Sequence, residues 1–503
     1  MEINAIIGLN PWWKQGQNFV SFDVTLKALR ESFLEFHRRS LEFEQNKIYI
    51  IRGPRQSGKT SWIKQNIQQL IQKKFPPRGI CYLSCDRLTA GTRAEFRNAL
   101  DFFISQSREQ DMVYLFLDEI TYVKEWGYEL KSLVDAGTLA KFVVVATGSN
   151  PALIRREAEL MPGRGISGNE FYLKPLTFRD FCLQLSERIA GFFPTSNQMM
   201  TSLPNLADRI AKLNFGLEDM QEFLRGINEV LPFKEELDYL FSLYLLTGGF
   251  PKAINDYLNN KFNNKKEKIQ QDIYEDLIRT ISGDIQKQGK GERIAKQILF
   301  GILKRIGTRY SYISLAKETE EGITQPTVTD YLNLFEESFL LNTLYAYDFE
   351  QKFYRPKAPK KIYFSDLFLF YAVKCWIESK EGFEVSQEML QDEGLPGKVV
   401  EGIIAQHLAL AKEQPLLKPL NSFLWFYYNG NKEIDFVYKK ESGEYIGVEL
   451  KYQRTVIEKD FYRISNLSEN ILLTRDELNL ENKVLCIPIV LFLSLLQRSE
   501  KNL

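Results

Sequence analysis

The sequence predicts an α/β fold organised on a parallel sheet, and three observations carry the prediction. Over residues 44–185, apolar β-prone runs alternate with amphipathic helical stretches, the pattern of parallel strands joined by crossover helices. The first run, Ile48-Tyr49-Ile50-Ile51, breaks into Gly53-Pro54-Arg55-Gln56-Ser57-Gly58-Lys59-Thr60, which matches the phosphate-binding pattern G-x-x-x-x-G-K-[ST]. A later run, Tyr114-Leu115-Phe116-Leu117, ends in the carboxylate pair Asp118-Glu119.

The loop's spacing has a physical reason. Glycines let successive backbone N–H groups turn inward around an anion. The helix that follows, from about Ser61, points its positive end at the same phosphates. Lys59 is placed to reach the β- and γ-phosphates of ATP, and Thr60 to hold Mg²⁺ through its hydroxyl. An apolar strand before the loop and the apolar stripe Trp62, Ile63, Ile67, Leu70 and Ile71 after it set this apart from a chance glycine-rich turn. Asp118 is then the second Mg²⁺ ligand, direct or through water, and Glu119 the residue that polarises the attacking water.

The elements follow in order. Residues 1–43 hold an aromatic knot, Asn10-Pro11-Trp12-Trp13, and a predicted amphipathic helix over 26–43, with Leu29, Phe33, Phe36 and Leu41 near one face. Trp12 and Trp13 read as packing residues, with a place near an adenine ring as the minor alternative. In residues 44–185 the strands fall at 48–51, 80–84, 113–117, 142–146 and 170–173, with helices at 61–73, 93–105, 125–136 and 151–159. The fourth strand ends Thr147-Gly148-Ser149-Asn150, whose polar groups are candidates to touch the γ-phosphate or the water; Ser149 or Asn150 would equally cap the next helix. Arg164, in Met161-Pro162-Gly163-Arg164-Gly165, is a candidate arginine finger acting in cis or from a neighbouring subunit, with Arg155 and Arg156 competing and a plain surface turn as the alternative.

Residues 186–290 read as helical. A helix at 235–246 ends in Thr247-Gly248-Gly249-Phe250-Pro251, where Pro251 suits the first turn of the next helix. Residues 291–361 predict a winged helix: three helices and a basic hairpin carrying Lys352, Arg355, Lys357, Lys360 and Lys361, with Phe353 and Tyr354 between them. The third helix carries Asp330, Glu336 and Glu337, which disfavours phosphate approach, so DNA contact is expected through the hairpin, against a solvated basic loop. Residues 362–395 bridge to the last domain.

Residues 396–503 contain a second constellation. Glu401 lies early in a helix, Asp435 in the strand Glu433-Ile434-Asp435-Phe436-Val437, and Glu449-x-Lys451 in the strand that follows. Two carboxylates can hold a divalent ion against a scissile phosphate, a lysine two residues on shares the strand face, and Glu401 can add a ligand. This is the restriction-endonuclease pattern, PD-(D/E)xK. A hairpin with ordinary surface charges is the alternative.

The totals bound the class. The chain has 503 residues, room for about three or four domains. Lys+Arg and Asp+Glu are equal at 65, so any nucleic-acid contact must come from local patches. The five cysteines are dispersed with no C-x-x-C pair, and two histidines exclude a His-based metal cluster. With no basic leader and no apolar run long enough to span a bilayer, the expectation is a soluble, cytoplasmic protein with no membrane partner.

With these residues in hand, the chain resembles a prokaryotic AAA-type P-loop ATPase family that joins an ORC/STAND-like core to a C-terminal domain of unknown function with a restriction-endonuclease-like fold. The shared marks are GPRQSGKT, YLFLDEI, ATGSN, MPGRG before Leu173-Lys174-Pro175-Leu176-Thr177-Phe178, TGGFP, KIYFSD and EIDFV…VELK. The resemblance implies an AAA-type core at 44–185, a helical lid at 186–290, a winged helix at 291–361 and a nuclease-like domain at 396–503. It also implies Gly249 and Pro251 near the adenine, Ser149 or Asn150 as sensor, and Arg164 as the favoured finger of a homo-oligomer. The expected function is ATP hydrolysis coupled to a Mg²⁺-dependent nuclease-like domain acting on DNA, in defence or DNA processing. The alternative is a nucleotide-gated signalling or assembly switch whose nuclease-like domain is inactive.

Overall fold

The structure, a computed structural model, describes residues 3–148, 168–213, 215–319, 323–392, 395–414, 419–430, 432–453, 463–480 and 483–503. The chain divides into two units: Met1–Lys174 with Lys501–Leu503, and Pro175–Glu500.

The first unit is a parallel sheet of β1 (Lys47–Arg52), β2 (Ile80–Ser84), β3 (Val113–Asp118), β4 (Phe142–Gly148) and β5 (Glu170–Tyr172), in the order β2-β3-β4-β1-β5. Its strands are apolar and nearly continuously buried, as expected where helices cover both faces. β4 lies between the loop strand β1 and the carboxylate strand β3, with Ile51 paired to Thr147 and Leu117 to Ala146. The ends of all three therefore meet at one edge. The helix Lys59–Gln72 follows the loop at once, as its apolar stripe predicts. The last residues of the chain close the far edge: Tyr172 N–H donates to Lys501 O, and Leu503 N–H to Tyr172 O, both at 2.7 Å.

The N-terminal segment departs from expectation. The helix predicted over 26–43 is only Val24–Glu31, started by Asp23, whose carboxylate accepts the N–H groups of Thr25 and Leu26. Ser32 ends it in extended backbone. Phe33 and Phe36 are still buried, but in non-helical chain lying along the helix Lys59–Gln72, where Gln65 donates to Phe36 O at 3.0 Å and Trp62 Nε1 to Arg39 O at 3.3 Å. Apolar spacing signalled burial here, and partner side chains rather than a backbone ladder supply the hydrogen bonds. Trp12 and Trp13 are packing residues. Both are buried and both donate Nε1–H to Ile80 O, at 2.9 and 2.8 Å.

The second unit opens with helices, from Phe178–Ala190 through Glu292–Lys304, Tyr312–Glu318 and Gln325–Glu337. A seven-stranded sheet follows, in the order β12-β11-β10-β9-β8-β6-β7. Its strands are β6 (Leu341–Asp348), β7 (Phe353–Phe364), β8 (Leu424–Asn429), β9 (Lys432–Lys439), β10 (Tyr445–Lys451), β11 (Glu469–Thr474) and β12 (Leu485–Pro488). The hairpin β6–β7 predicted as a wing joins this sheet, because β6 pairs in parallel with β8 through Ala346 and Phe426. Two of its basic residues consequently face inward. Lys360 and Lys361 are 6% and 1% exposed, while Lys352 and Lys357 stay in solvent. Among the described residues, no helix is long and apolar enough to cross a membrane.

Candidate functional sites

The phosphate loop is shaped by steric demand. A Cβ on Gly53 would stand 2.1 Å from Leu173 O, so nothing larger than glycine fits between β1 and the chain leaving β5. Gln56 (φ 61°) and Gly58 (φ 95°) take left-handed backbone, which curls the loop back on itself. Lys59, 5% exposed, donates its ammonium to Gly53 O at 3.0 Å and Pro54 O at 2.9 Å. It spans the mouth of the loop. Ser57 Oγ is buried with no hydrogen-bond partner in the structure. An orphaned hydroxyl in a loop of inward N–H groups suits a phosphate oxygen.

Asp118, Thr60 and Thr147 converge beside the loop. Thr60 donates its hydroxyl to Asp118 Oδ2 at 2.7 Å, Tyr82 donates to the same oxygen at 3.2 Å, and Thr147 donates to Asp118 Oδ1 at 2.5 Å. Burial raises the Asp118 carboxyl pKa, and the Thr147 and Thr60 hydroxyls pull it back down. Glu119, at φ 50°, turns sharply off the strand and donates its N–H to Thr147 Oγ1 at 3.2 Å. A cavity of about 410 Å³ opens here, lined by Thr60, Asp118, Glu119, Tyr82, Lys64 and Asp23. Lys64 pairs with Asp23 at 3.0 Å, so the N-terminal segment forms one wall of the site. Tyr82, Lys64 and Asp23 were not singled out from the sequence: a tyrosine within a strand and a lysine one turn into a helix carry no spacing signal.

These residues fit Mg²⁺-bound nucleotide. Thr60 and Asp118 already stand within one hydrogen bond of each other, and Mg²⁺ takes only one or two protein ligands when phosphates supply the rest. The sensor candidates Ser149 and Asn150, and the finger candidates Arg155, Arg156 and Arg164, lie outside the described residues. Gly249 and Pro251 belong to the second unit. Gly249 N–H donates to Asp366 Oδ2 at 2.9 Å, and Pro251 opens the helix Pro251–Phe262.

The C-terminal constellation is brought together in the second unit. Glu401 reaches in from the helix Leu395–Lys412, Asp435 from β9, and Glu449 and Lys451 from β10. Asp435 N–H donates to Glu449 Oε2 at 3.2 Å, Leu450 N–H to Asp435 Oδ2 at 3.0 Å, and Lys451 Nζ stands 3.3 Å from Glu449 Oε1. Sequence reading missed the residue at the centre. Lys361 Nζ lies 2.8 Å from both Glu401 Oε1 and Asp435 Oδ1 and is also paired with Glu433. Burial alone would lower the Lys361 pKa. The surrounding carboxylates, Asp435 and Glu401 foremost, outweigh it and hold the ammonium protonated. Burial, and then the neighbouring Asp435 charge, raises Glu449. Tyr363 donates to Glu401, and Arg309 pairs with Glu433 Oε2 at 2.9 Å. In the sequence Lys361 belongs to the basic run of the hairpin, and its burial follows only from the pairing of β6 with β7 and β8. Among the described residues no group of three or more His, Cys, Asp or Glu is disposed to hold a metal ion. The Lys361 ammonium takes the place among Glu401, Glu433 and Asp435 that a divalent ion would need, so the cluster as folded does not fit the ion expected of it.

Family models match three stretches: an AAA domain (AAA_14) over residues 45–182, and domains of unknown function over 238–380 (DUF8612) and 396–490 (DUF4143). An uncharacterized protein of Methanocaldococcus jannaschii is 24% identical over 461 residues, covering 89% of this chain and 85% of its own. One from Haemophilus influenzae is 25% identical over 337 residues, covering 65% and 68%. Among solved structures, a Walker-type ATPase of Pyrococcus abyssi is similar over 65% of this chain and 91% of its own, at 15% identity and TM-score 0.39. The loop, the β2-β3-β4-β1-β5 sheet and the match over residues 45–182 agree on an AAA-like P-loop fold for this stretch.

Proposed function

We propose that the chain hydrolyses ATP with Mg²⁺ and uses the cycle as a nucleotide-gated switch. The observation that carries the hydrolytic half is the convergence of Thr60, Asp118 and Glu119 beside a loop whose Lys59 and Ser57 are arranged for phosphate. In this reading the loop N–H groups and Lys59 bind the phosphates. Thr147 holds Asp118 in place, and Glu119 orients the attacking water. Thr60 and Asp118 would hold Mg²⁺, which supplies neutralisation of phosphate charge. Ser149 is proposed as sensor, and Arg164 as finger from a second copy in a homo-oligomer. Turnover per chain that rises with protein concentration supports the second copy, and turnover independent of concentration sinks it. Loss of ATP turnover in Lys59→Ala tests the assignment as a whole.

The switch is preferred over DNA cleavage for the second unit because a buried ammonium sits among the carboxylates a nuclease would give to its metal. Cleavage remains the second reading, supported by the meeting of Glu401, Asp435, Glu449 and Lys451 at one point. Plasmid or single-stranded DNA cut with Mg²⁺ or Mn²⁺ by wild type and spared by Glu449→Ala would establish it and overturn the switch. DNA as partner is proposed on the exposed Lys352, Phe353 and Lys357, with DNA-stimulated hydrolysis as its test.

A further inference from the structure

We infer that the Lys361 ammonium is a built-in cation standing where a divalent ion would otherwise bind, and that the second unit is a metal site closed by its own chain. The inference rests on the switch reading. An ammonium has three N–H donors and no acceptor. Lys361 has three carboxylate partners, Glu401, Glu433 and Asp435. Its hydrogen-bonding capacity is filled.

Most of the carboxylate oxygens are engaged as well, and Glu401 spends Oε1 on both Lys361 and Tyr363. Asp435 spends Oδ1 on Lys361 and Oδ2 on Leu450 N–H. Glu433 spends Oε1 on Lys361 and Oε2 on Arg309. Glu449 spends Oε2 on Asp435 N–H and Oε1 on Lys451. A divalent ion would have to displace these partners, at oxygen distances shorter than an ammonium needs. Lys361 cannot readily withdraw. Its side chain is 2% exposed, and its backbone is held in β7, where Lys361 pairs with Leu344 and Ile362 with Thr343. Leaving the acidic groups buried without it would be strongly unfavourable. The chain has thus exchanged a removable cation for a fixed one, and the closed site binds its own strand, helix and hairpin together.

The test is Mn²⁺ uptake by nucleotide-free, full-length protein, read as loss of the free-ion EPR signal. Wild type and Asp435→Asn are expected to take up equal amounts. Lys361→Met is expected to gain one Mn²⁺ per chain, and Lys361→Met/Asp435→Asn to lose it again. Lys361→Met that folds only when Mn²⁺ is supplied, by circular dichroism, also supports the inference. Uptake by wild type that Asp435→Asn abolishes overturns it, as does a folded Lys361→Met that gains nothing. If Lys361→Met folds under neither condition, the comparison of wild type with Asp435→Asn decides alone. Wild type that binds Mn²⁺ at this site but cuts no DNA defeats this inference and leaves the switch standing; wild type that cuts DNA defeats the switch.

Discussion

Replacing Thr147 with valine keeps the side chain's shape and removes one hydroxyl. That hydroxyl donates to the buried Asp118 carboxylate at 2.5 Å and accepts Glu119 N–H at 3.2 Å. A hydrogen bond to a charged group contributes about 1.5–3 kcal/mol. Asp118 is 2% exposed, so water cannot make good the loss. For a domain of this size class each kcal/mol lowers the melting point by about 2–4 °C. Thr147→Val should therefore melt about 3–12 °C below wild type in the absence of nucleotide. Thr147→Ser supplies the control. It keeps the hydroxyl and loses a methyl group worth about 0.8 kcal/mol, so it should melt within about 3 °C of wild type. Scanning fluorimetry on the three proteins, with ATP turnover measured alongside, reads both consequences. A Thr147→Val protein as stable as Thr147→Ser and as active as wild type would refute the claim that this hydroxyl sets the Asp118 carboxylate.

Gly53→Ala brings a Cβ to 2.1 Å from a backbone oxygen, so no side-chain movement relieves it; a loss of about 1–3 kcal/mol in stability and of nucleotide binding is expected by urea titration and fluorescent-nucleotide binding, and unchanged binding would count against the loop geometry. His407 is buried in the second unit, with Nε2 accepting Phe178 N–H at 2.8 Å and Nδ1 within 2.8 Å of Ile403 O, and burial pushes its pKa down to about 4. The unfolded chain, with a histidine pKa of about 6.5, takes up the proton first. Stability present above pH 6.5 is then lost as pH falls toward 4, by about 1.4 kcal/mol per pH unit. Buried carboxyls such as Asp366 and Glu401, both pushed up to about 7, titrate in the opposite sense, so denaturant titrations at pH 7 and 5 should show stability changing less favourably toward acid in wild type than in His407→Gln by about this slope; equal pH dependence in the two refutes the assignment.

The nucleotide site was legible because its chemistry is written in local spacing. Gly53 to Thr60 is one contiguous loop, and Asp118 ends an apolar strand whose type is evident from its residues. What spacing does not encode is strand order. That β4 lies between β1 and β3, bringing Thr147 onto Asp118, depends on long-range pairing. The same limit explains the second unit. Glu401, Asp435, Glu449 and Lys451 were recoverable as a pattern of residue types along helix and strands. Lys361 was not, because a run of basic residues reads as a solvated wing until β6 is known to pair with β8 and turn β7's end into the sheet. The N-terminal helix failed for a different reason. Leu29, Phe33 and Phe36 are spaced for a helix face, but Gln65 and Trp62 hold the later part as extended chain instead.

Glu119→Gln tests hydrolysis at the Thr60–Asp118–Glu119 centre most directly. The substitution leaves the loop, Lys59 and Asp118 intact, and a group that handles the proton of the attacking water contributes about 10²- to 10⁴-fold to rate. Steady-state ATP turnover and nucleotide affinity, measured on the same preparations, should show binding retained and turnover reduced by at least about 10²-fold. A Glu119→Gln protein that turns over ATP at the wild-type rate would show that Glu119 does not serve the attacking water and that hydrolysis is not centred here.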